Sequence, residues 1–421
     1  MMRVLWIGHN LAFPPQGGAL QRNYNLLLEA SKQCEVHFLA FDQPATRPST
    51  ITADDCLKAL TQFCATAASI PLASSPSRWR RNCRALGSWF CTDPYETRWL
   101  RHAKMATRIH SFLARVPIDV VHFDTLGLAQ YFPILMDLGI NHRVATVLNH
   151  HDVQSAQLRR RATHETGIFS KAILKRESGN VLRNEQFWCP LMDLNLTVSE
   201  EELSLLEKAV NSRVRVAVVP NGVDTTYFAP RSDPHGKTIV FCGTDKYSNR
   251  SGIKYFFQQI WPLLTTREPN IEITILGKNP PPWLQKLAKG DSRIHVTGFV
   301  DDVRPYFKKA VAFVCPVFDG GGTQLKILDA LCMGVPTVGT SFSVTGLNLQ
   351  HGIHALLGDT PEDFAHHVIS LITDVTLRSR LTTASTSHIR ESFSWSHVGT
   401  RLIAAYKLAL DQKQNCATVA T

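Results

Sequence analysis

Residues 311–331 have the sequence VAFVCPVFDGGGTQLKILDAL, and this stretch decides the fold. It begins with the apolar run Val311–Cys315, which is typical of a strand buried on both faces. Three consecutive glycines, Gly320–Gly322, interrupt the pattern, and the apolar residues after them recur at helical spacing over Gln324–Met333. A buried strand that leads through a glycine turn into a helix is one unit of a parallel α/β sheet.

The glycine turn and the helix behind it suit a phosphate group. Glycines let the backbone approach a phosphate closely, and a helix N-terminus directs unpaired N–H groups and partial positive charge toward it. We expect Thr323 to cap the helix, Lys326 to add a charge in its first turn, and Asp329 to accept hydrogen bonds from ribose hydroxyls. A glycine-rich surface turn with a solvated Lys and Asp is the alternative. The spacing excludes both the dinucleotide-binding fingerprint and the P-loop.

The same strand–helix alternation extends along the whole chain. Strands are predicted at Arg3–Gly8, Glu35–Ala40, Asp119–Phe123, Arg143–Leu148, Leu194–Val198, Val214–Val219, Thr238–Cys242, Ile271–Leu276, Ile294–Thr297, Val311–Cys315 and Pro336–Gly339. Helices are predicted at Leu20–Ser31, Glu201–Val210, Ser251–Leu264, Gln324–Met333, Pro361–Thr373 and Ser396–Leu410. Two regions, Cys56–Glu96 and Arg159–Asn184, fit poorly, and we expect the second to be helical. Apolar strands that alternate with helices indicate parallel sheets covered on both faces.

This alternation predicts an α/β fold with two Rossmann-like domains that face each other across a cleft. A single sheet would be unusually wide, and the polar stretch Ala229–Lys237 is typical of a linker. We expect a first domain over 1–222, a linker over 223–236 and a second domain over 237–395. A closing helix over 396–411 would pack back toward the first domain, and a flexible tail would follow over 412–421. Ligands of such sheets bind at the carboxyl ends of the strands.

Composition excludes several classes of protein. Of the 421 residues, 44% are hydrophobic and 19% charged, which excludes a largely disordered, collagen-like or coiled-coil chain. The formal net charge of +10 favours an anionic partner, either phosphate groups, an acidic membrane surface or nucleic acid. Ten cysteines without a C-x-x-C pair indicate buried free thiols rather than a zinc site.

Apolar runs in the chain are short. The first of them, Val4–Ile7, is too short for a signal peptide and is better explained as a buried strand. No run reaches the roughly 18 to 20 apolar residues of a membrane span. We therefore expect a cytoplasmic protein, either free or peripheral on the inner face of a bacterial plasma membrane.

A second pair of glycines lies between the first strand and the first helix. Gly17 and Gly18 precede that helix, and Arg22 lies one turn inside it. This loop can hold part of an acceptor or a donor phosphate, and a purely structural turn is the alternative.

Two more polar clusters follow predicted strands. His150 and His151 come after Arg143–Leu148, and we prefer His151 as a functional residue over a structural role for both. Metal binding is not expected, because no third ligand lies at useful spacing. Lys246 and Arg250 follow Thr238–Cys242 and can neutralise a leaving diphosphate, with solvated loop charges as the alternative.

The segment Arg78–Phe90 is both basic and aromatic. Its sequence, RWRRNCRALGSWF, contains four arginines, two tryptophans and one phenylalanine. Such a segment can lie in a lipid interface, where anionic headgroups contribute about 1 kcal/mol per basic residue. It predicts contact with an anionic membrane surface, and an ordinary surface helix whose aromatic side chains pack inward is the alternative.

Three motifs together resemble the family-four glycosyltransferases of the GT-B fold. They are VPNGVD at 219–224, VTGFVDDVRPY at 296–306 and the run at 320–329. The resemblance is specific over about 197–372 and plausible across most of the chain. The chain is most similar to bacterial sugar transferases of exopolysaccharide and exosortase-associated (PEP-CTERM) clusters. The resemblance implies that a sugar passes with retention, and without a metal, from a nucleotide-sugar to a lipid-linked or saccharide acceptor.

The resemblance also implies the site residues. The second domain would bind the nucleotide-sugar and the first domain the acceptor. The family's donor positions fall on Phe299 and Val300 at the base, Gly320, Gly321, Gly322, Thr323 and Lys326 at the diphosphate, and Asp329 at the ribose. His151 takes the place of the histidine near the transferred sugar.

Some positions depart from the family pattern. The family's paired glutamates fall on Gly321 and Asp329, and Gln324 stands where a subgroup has arginine. The usual arginine and lysine of the loop after Thr238–Cys242 fall on Thr244 and Ser251, and Lys246 and Arg250 are the nearby cations that could replace them.

The predicted enzyme is therefore a glycosyltransferase that builds an envelope or exported polysaccharide. Cations and backbone amides would stabilise the departing nucleoside diphosphate, whose phosphate oxygen would help to take the acceptor proton. Two alternatives stay open: a GT-B nucleotide-sugar epimerase, and a catalytically weak basic protein that binds a nucleotide or lipid. We expect no cofactor, no metal and no nucleic-acid partner, because the motifs of nucleic-acid-binding domains are missing.

Overall fold

A computed structural model of the chain describes residues 1–72, 91–165, 167–210, 214–230, 234, 236–244, 247–319 and 323–419. The chain divides into two compact units, each built on a parallel sheet. Unit 1 consists of Met1–Pro220 and Val398–Thr421, and unit 2 consists of Asn221–His397. The chain thus passes through unit 2 once and returns to unit 1 at its C-terminal end.

Unit 1 contains a parallel sheet with helices along the connections between its strands. Over the described residues its strands are β1 (Met2–Gly8), β2 (Cys34–Asp42), β3 (Thr66–Pro71), β4 (Val120–Phe123), β5 (Ala145–Asn149), β6 (Leu194–Thr197) and β7 (Val216–Val218). They lie in the order β3-β2-β1-β4-β5-β6-β7. Its helices are α1 (Gly18–Ser31), α2 (Ala53–Leu60), α3 (Tyr95–Trp99), α4 (Ala103–Leu113), α5 (Pro133–Asp137), α6 (Gln154–His164), α7 (Ile168–Trp188) and α8 (Glu200–Val210).

Unit 2 repeats this architecture on a smaller scale. Its described strands are β8 (Thr238–Cys242), β9 (Glu272–Leu276), β10 (Ile294–Gly298), β11 (Ala312–Cys315), β12 (Thr337–Gly339) and β13 (Leu356–Leu357), in the order β10-β9-β8-β11-β12-β13. Its helices are α9 (Tyr247–Tyr255), α10 (Trp261–Arg267), α11 (Pro282–Gly290), α12 (Arg304–Lys309), α13 (Leu325–Cys332), α14 (Pro361–Thr373) and α15 (Val375–Phe393). A last helix, α16 (Trp395–Val419), begins in unit 2 and belongs to unit 1 from Val398 onward.

The central strands are buried on both faces, as their apolar sequences predict. In β1 the residues from Val4 to Ile7 are at most 1% exposed, and in β11 the residues from Ala312 to Cys315 are fully buried. Each fully buried side chain of this size contributes about 1.5–3 kcal/mol relative to an exposed one. The paired strands are parallel throughout the described part of both sheets. All the predicted strands are present, with ends that differ by at most two residues.

Two strands were not predicted from the sequence, and both lie at the edge of a sheet. β3 has the sequence TAASIP, whose small and polar side chains are only partly buried. β13 has two residues. Edge strands bury little apolar surface, so their sequences carry little of the pattern that identifies a central strand.

The region Arg159–Asn184 is helical, as expected, and its residues belong to two helices, α6 and α7. One helical prediction needs correction. The helix predicted at Ser251–Leu264 is interrupted by a π-helical segment, Phe256–Ile260. Pro262 has no N–H group to donate to the preceding turn, so a regular helix cannot continue through it.

The C-terminal helix packs on unit 1, as expected of the closing helix. The hydroxyl of Tyr406 lies 3.0 Å from Nδ1 of His122, and Nζ of Lys413 donates to both carboxyl oxygens of Asp193 at 2.9 Å. The helix continues to Val419, so the expected tail is helical over 412–419.

The predicted linker, 223–236, belongs to unit 2 over its described residues. The N–H of Val223 donates to the carbonyl of Phe393 at 2.8 Å, and Val223 and Phe228 are buried in the unit 2 core. Eight cysteines in the described part of the chain are free thiols, as predicted, and six of them are buried. Among the described helices, none has both the length and the hydropathy that a bilayer-crossing segment needs.

Candidate functional site

The strands of unit 2 gather the predicted donor residues at one edge of the sheet. β8 ends at Cys242, β9 at Leu276, β10 at Gly298 and β11 at Cys315, and these strands are parallel. Because parallel strands end at the same edge, the loops that follow them lie side by side. The predicted donor-binding residues that the structure describes lie in those loops or in the first turns of α13.

Lys326 lies in the first turn of α13, as predicted, and its ammonium group contacts the end of β8. Nζ donates to the carbonyl oxygen of Cys242 at 3.0 Å and to Oδ1 of Asn249 at 2.6 Å. It also lies 4.9 Å from the centroid of the Phe241 ring. An ammonium group has three N–H donors, so these two bonds fix its position and leave one for a ligand. Lys326 is therefore a positioned cation at the carboxyl edge of the sheet.

Asp329 lies one turn further along α13. Its Oδ1 atom is closed off from solvent and has no hydrogen-bond partner among the described residues. Burial raises the pKa of this carboxyl group to about 8. A buried oxygen without a donor costs free energy, which hydroxyl groups of a ligand would recover. The side chain is therefore suited to accept hydrogen bonds from a ribose.

The start of α13 differs from the prediction. The helix begins at Leu325, its N-cap residue is Gln324, and no side chain makes a cap hydrogen bond. Thr323 lies one residue before that N-cap, and its hydroxyl accepts a hydrogen bond from Nδ2 of Asn221. Asn221 is a buried residue of the 219–224 motif, so this bond ties that motif to the end of the glycine turn. Gly320, Gly321 and Gly322 themselves lie outside the described residues.

The loop after β8 has a defined structure over part of its length. Lys246 lies outside the described residues. Arg250 is exposed, and its Nε donates to the carbonyl of Thr244 at 2.9 Å. Thr244, which stands where the family has arginine, is fully buried and donates its hydroxyl to the carbonyl of Lys278. Ser251 is exposed, and its hydroxyl lies 3.4 Å from Oδ1 of Asp319.

Phe299 and Val300 directly follow the end of β10, at the edge where a base would bind. Phe299 is 50% exposed. Nζ of Lys278, in the loop after β9, lies 4.4 Å from the centroid of its ring. Lys278 was missed by the sequence analysis, although a cation directly after a buried strand is the signal that drew attention to Lys246.

Arg22 does not face a ligand, and its predicted role needs correction. The side chain is 1% exposed; Nη1 donates to the carbonyl of Pro220 and Nη2 to that of Val219, both at 2.7 Å. Burial lowers the pKa of Arg22 to about 10, so the side chain remains charged at neutral pH. Its guanidinium group therefore binds the backbone carbonyls of Val219 and Pro220, at the end of the first segment of unit 1, rather than a phosphate. Gly17 and Gly18 lie at the start of α1, and Gly17 has a φ of 91°.

Three polar side chains meet at the carboxyl edge of the unit 1 sheet. His9 follows β1, Asp124 follows β4 and His151 follows β5, and these strands are neighbours. Oδ2 of Asp124 lies 2.5 Å from Nδ1 of His9, and Oδ1 lies 3.2 Å from Nε2 of His151. The sequence analysis found only His151. The signal for the other two is that each directly follows the last residue of a buried strand.

The carboxyl group of Asp124 is fully buried and surrounded by donors. Nδ2 of Asn23 donates to Oδ2 at 2.7 Å, and Nδ2 of Asn149 lies 3.4 Å from Oδ1. Burial alone would raise the pKa of Asp124, but His151 and His9 hold it well below its usual range. Because an ionised carboxylate only accepts hydrogen bonds, Nδ1 of His9 and Nε2 of His151 each carry a proton toward it.

The neighbouring residue His150 is in a different environment. Its ring is buried, and Nε2 lies 3.2 Å from Oδ1 of Asn195. Burial lowers the pKa of His150 to about 4, so the ring is neutral at physiological pH. This placement within the sheet agrees with the preference for His151 as the functional member of the pair.

His9 and His151 line a cavity of about 540 Å³ within unit 1. Its walls include Tyr95 and Trp99, whose rings are stacked with centroids 6.3 Å apart. Two lining residues, Asn10 and Thr125, each have a side-chain oxygen that is closed off from solvent and lacks a partner among the described residues. An apolar wall combined with a few convergent polar groups is typical of a small-molecule site.

The charges around this cavity are mostly negative. Three carboxylates contribute to the lining, from Glu96, Asp152 and Glu177. No lysine or arginine belongs to the described lining, although the whole chain carries a net charge of +10. The cavity therefore favours a neutral or cationic ligand over an anionic one.

The same cluster bears on the expectation that no metal binds. One nitrogen or oxygen atom of each of His9, Asp124 and His151 lies within 4.8 Å of the others, a spacing at which side chains can share a metal ion. His9 and Asp124 lie close to His151, so the expectation that no third ligand lies at useful spacing is wrong. Four N–H groups already surround the Asp124 carboxylate, and we describe the cluster as a hydrogen-bonded network. Metal independence stays a prediction.

Comparison with known families matches both units. Residues 16–227 match the model described as Glycosyltransferase Family 4, and residues 236–374 match the one described as Glycosyl transferases group 1. Together with the two parallel sheets, these matches define the class: a glycosyltransferase of the two-domain, Rossmann-like GT-B type. The chain belongs to Glycosyltransferase Family 4, whose model spans half of its residues.

Solved structures share the fold at low sequence identity. Sucrose-phosphate synthase from Thermosynechococcus elongatus has a TM-score of 0.71 and 14% identity, covering 97% of this chain and 98% of that one. Anabaena HepE in complex with UDP and glucose has a TM-score of 0.63 and 13% identity, covering 97% of this chain and 100% of that one. These likenesses show the GT-B fold alone.

A curated relative matches part of the chain. It is an uncharacterized 44.6 kDa protein of the cps region of Klebsiella pneumoniae, 23% identical over 169 residues. The match spans 38% of this chain and 44% of the length of that relative.

Proposed function

We propose that this glycosyltransferase moves a sugar from a nucleotide-sugar bound by unit 2 to a saccharide acceptor bound by unit 1. The transfer would proceed with retention and without a metal ion, and the acceptor would be an envelope or exported polysaccharide, carried on a lipid. The observation that carries the proposal is the arrangement on α13. A fixed ammonium group and an unsatisfied carboxyl oxygen lie one turn apart there, at the carboxyl edge of a parallel sheet.

The donor proposal assigns a role to each part of that edge. Lys326 and the backbone of Gly320–Thr323 would hold the diphosphate, and Asp329 would accept hydrogen bonds from the ribose. Phe299 and Val300, beside Lys278, would contact the base. HepE, which shares the fold, binds UDP and glucose, so a uridine nucleotide is the first donor to test.

The acceptor proposal places a saccharide in the unit 1 cavity. Sugar rings have apolar faces and many hydroxyl groups, which suit the stacked rings of Tyr95 and Trp99 and the polar side chains of the lining. The carboxylates in the lining favour a neutral or amino sugar at the acceptor end over a uronic acid.

A lipid-linked acceptor requires the enzyme to work at a membrane. The segment predicted to bind lipid, Arg78–Phe90, lies outside the described residues. A second feature supports the proposal: α7 begins with Ile168 and Phe169, which are 83% and 86% exposed. Arg159 on α6 and Lys175 on α7 are exposed basic residues of the same helix pair. Exposed apolar side chains next to basic ones are typical of a surface that lies on anionic lipid.

In the proposed reaction the acceptor oxygen forms a bond to the anomeric carbon as the bond from that carbon to the phosphate oxygen breaks. The electron pair of the broken bond leaves with the nucleoside diphosphate, and a phosphate oxygen of this leaving group takes the proton of the acceptor hydroxyl. Lys326 and the N–H groups around the glycine turn stabilise the charge that develops on the leaving group. Retention means that both bonds lie on the same face of the sugar.

Three measurements test the proposed function. Titration calorimetry with UDP, GDP and their sugars should show binding to one nucleotide class. Mass spectrometry with a panel of donors and bacterial membranes as the acceptor source should then show transfer that persists in EDTA. Proton NMR of the product reports the anomeric configuration. Conversion of the donor sugar without an acceptor would indicate an epimerase instead.

A further inference from the structure

We propose that four histidines of unit 2 form an acid-sensitive latch, which holds the connection between β12 and β13 closed at neutral pH and releases it in mild acid. The latch consists of His351 and His354 in that connection, His367 on α14 and His388 on α15. It is separate from the proposed transfer reaction, so it can be tested on protein without any substrate.

The four rings form two pairs. The rings of His351 and His367 have centroids 5.1 Å apart, and those of His354 and His388 are stacked with centroids 4.7 Å apart. Each pair joins one ring of the connection to one ring of a helix. The connection is thus held on α14 by the first pair and on α15 by the second.

The first pair binds the backbone of β13. The N–H of Leu357 donates to Nδ1 of His351 at 3.0 Å, and Nε2 of His367 donates to the carbonyl of Leu357 at 3.1 Å. β13 lies at the edge of the described sheet, where a strand presents N–H and C=O groups that lack a neighbouring strand. The two imidazole rings supply the partners that such a strand would have supplied.

The second pair fixes the turn that precedes β13. The N–H of Gln350 donates to Nδ1 of His354 at 3.1 Å, and Nε2 of His388 donates to the carbonyl of Leu347 at 3.0 Å. Leu347 is fully buried in the core of unit 2. The ring of His388 also packs edge to face on Phe393, with centroids 5.7 Å apart. This pair therefore ties the turn to the core through α15.

The backbone partners decide which nitrogen of each ring carries a proton. A backbone N–H can only donate, so Nδ1 of His351 and Nδ1 of His354 each present a lone pair. A carbonyl can only accept, so Nε2 of His367 and Nε2 of His388 each carry a proton. A proton on Nδ1 of either ring of the connection would place two N–H groups against each other. The closed latch therefore requires both of these rings to be neutral.

The environment of the rings also disfavours a positive charge in the closed latch. Burial and the neighbouring His388 ring lower the pKa of His354. Burial, followed by His351, lowers the pKa of His367, although a backbone carbonyl and Asp363 act in the opposite direction. The open form, whose histidines have a pKa near 6.5, binds more protons than the closed form. The closed form is therefore stable above about pH 6.5 and loses stability as the pH falls below it.

Other charged side chains on the elements around the latch are bound by neighbouring groups. They are Asp359 (bound by Ser341), Asp363 (bound by Thr360), Arg390 (bound to the carbonyl of Thr225) and Glu391 (bound by Ser387). Glu362 and His366 are exposed on α14. The ring of His366 lies 5.7 Å from that of His367, so in acid it adds a positive charge beside the latch and acts in the same direction.

Release of the latch would affect the proposed donor edge. The connection begins after β12 with Thr340, whose hydroxyl donates to the carbonyl of Val317. Val317 lies between β11 and the glycine turn, three residues before Gly320. An open connection would loosen this contact, so a nucleotide should bind more weakly in acid. This consequence, unlike the latch itself, rests on the proposed function.

Hydrogen exchange of the nucleotide-free protein in EDTA measures the opening of the latch. Each histidine that gains a proton only in the open form multiplies the opening constant by about ten between pH 7.5 and pH 5.5. With two such rings, we expect the protection factors of residues 350–357 to fall by about 100-fold over this range. Those of β10, at the opposite edge of the sheet, should change by less than about threefold. Protection of residues 350–357 that is the same at both pH values would overturn the proposal.

A double variant, His351→Asn with His354→Asn, keeps an acceptor near each Nδ1 but removes the titration. Its protection factors at the two pH values should agree within about threefold. The matched control His295→Asn removes a histidine of β10, which lies 3.5 Å from Glu272, and should keep the fall of about 100-fold. A double variant that is protected at pH 7.5 and still loses about 100-fold would also overturn the proposal.

Nitrogen NMR of isotope-labelled histidine rings tests the latch without any substitution, and so does not depend on whether the double variant folds. At pH 7.5 the rings of His351 and His354 should be neutral, with the proton on Nε2. A positively charged ring, or a proton on Nδ1 in either residue at that pH, would overturn the proposal.

Titration calorimetry with UDP at the same two pH values tests the link to the donor edge. The affinity of the wild type should fall by at least about threefold more than that of the double variant, because the nucleotide binds the closed form better. Equal falls in the two proteins would overturn this link. A wild-type protein that binds no nucleotide at pH 7.5 would overturn the proposed function instead, whereas hydrogen exchange alone decides whether the latch exists.

Discussion

The carboxyl group of Asp329 connects the proposed donor site to the stability of unit 2. Its raised pKa, about 8, is caused by burial. In the unfolded chain an aspartate has a pKa near 3.9, so between these two values the folded protein holds a proton that the unfolded chain has lost. Folding therefore becomes less favourable as the pH rises through this range, by up to about 1.4 kcal/mol per pH unit.

Asp329→Asn should remove this dependence, because an amide does not titrate. Between pH 6 and pH 8 the free energy of unfolding of unit 2 should fall in the wild type by about 2–3 kcal/mol more than in the variant. Urea unfolding of the nucleotide-free protein at the two pH values measures the difference. Asp301→Asn removes an exposed carboxyl group of the same unit and controls for the change in net charge. Parallel pH curves for the wild type and Asp329→Asn would contradict the prediction.

The candidate site shows which residues a sequence can and cannot identify. Lys326 and Asp329 were predicted because they lie within nine residues of a triple glycine, so local pattern placed them on one helix. His9 and Asp124 are 115 residues apart, and only the pairing of β1 with β4 brings them together. Arg22 had the expected position in its helix, but the carbonyls that bind it belong to Val219 and Pro220, nearly 200 residues away.

The exposed apolar side chains at the start of α7 lead to a prediction about membrane binding, outside the candidate donor and acceptor sites. Ile168→Ser together with Phe169→Ser should weaken binding to anionic vesicles by about tenfold or more, because each exposed apolar side chain contributes about 1.5–3 kcal/mol when buried in lipid. Co-sedimentation with vesicles that contain phosphatidylglycerol measures the effect.

The matched control is Met136→Ser, which removes an exposed apolar side chain that is followed by the acidic residue Asp137. Binding should persist in that variant and should weaken for the wild type at high salt. Equal pelleting of the wild type and the double variant would remove α7 from the membrane proposal and leave Arg78–Phe90 as its remaining basis.

Elements were predicted well where burial dictates their sequence. Central strands such as β1 and β11 are continuous apolar runs because helices or loops cover both of their faces. The edge strand β3 has an alanine- and serine-rich sequence, since only part of it is buried, and it escaped detection. The interruption at Phe256–Ile260 was missed because the apolar residues on both sides of it follow one continuous helical pattern. Pro262 was the local signal against a regular helix there.

At the scale of the whole molecule, α16 makes unit 1 depend on the end of the chain. Val398, Leu402 and Tyr406 are fully buried and belong to unit 1, although about 180 residues of unit 2 separate them from the rest of it. Gly399 allows the close approach, because a Cβ atom there would lie 2.5 Å from that of Glu29 on α1. Unit 1 therefore cannot complete its core until the C-terminal residues have been made.

Leu402→Ala should accordingly destabilise unit 1 and leave unit 2 intact. Truncating a fully buried leucine lowers the free energy of unfolding by about 2–5 kcal/mol, so the midpoint temperature of the calorimetric transition of unit 1 should fall by several degrees. The matched control, Leu381→Ala, removes an equally buried leucine from the core of unit 2. Added nucleotide identifies the two transitions, because a ligand of unit 2 raises the midpoint temperature of the unit 2 transition. The opposite result would be that Leu402→Ala lowers the temperature of the nucleotide-sensitive transition and Leu381→Ala lowers that of the other transition. In that case either α16 does not belong to unit 1 or the nucleotide does not bind to unit 2.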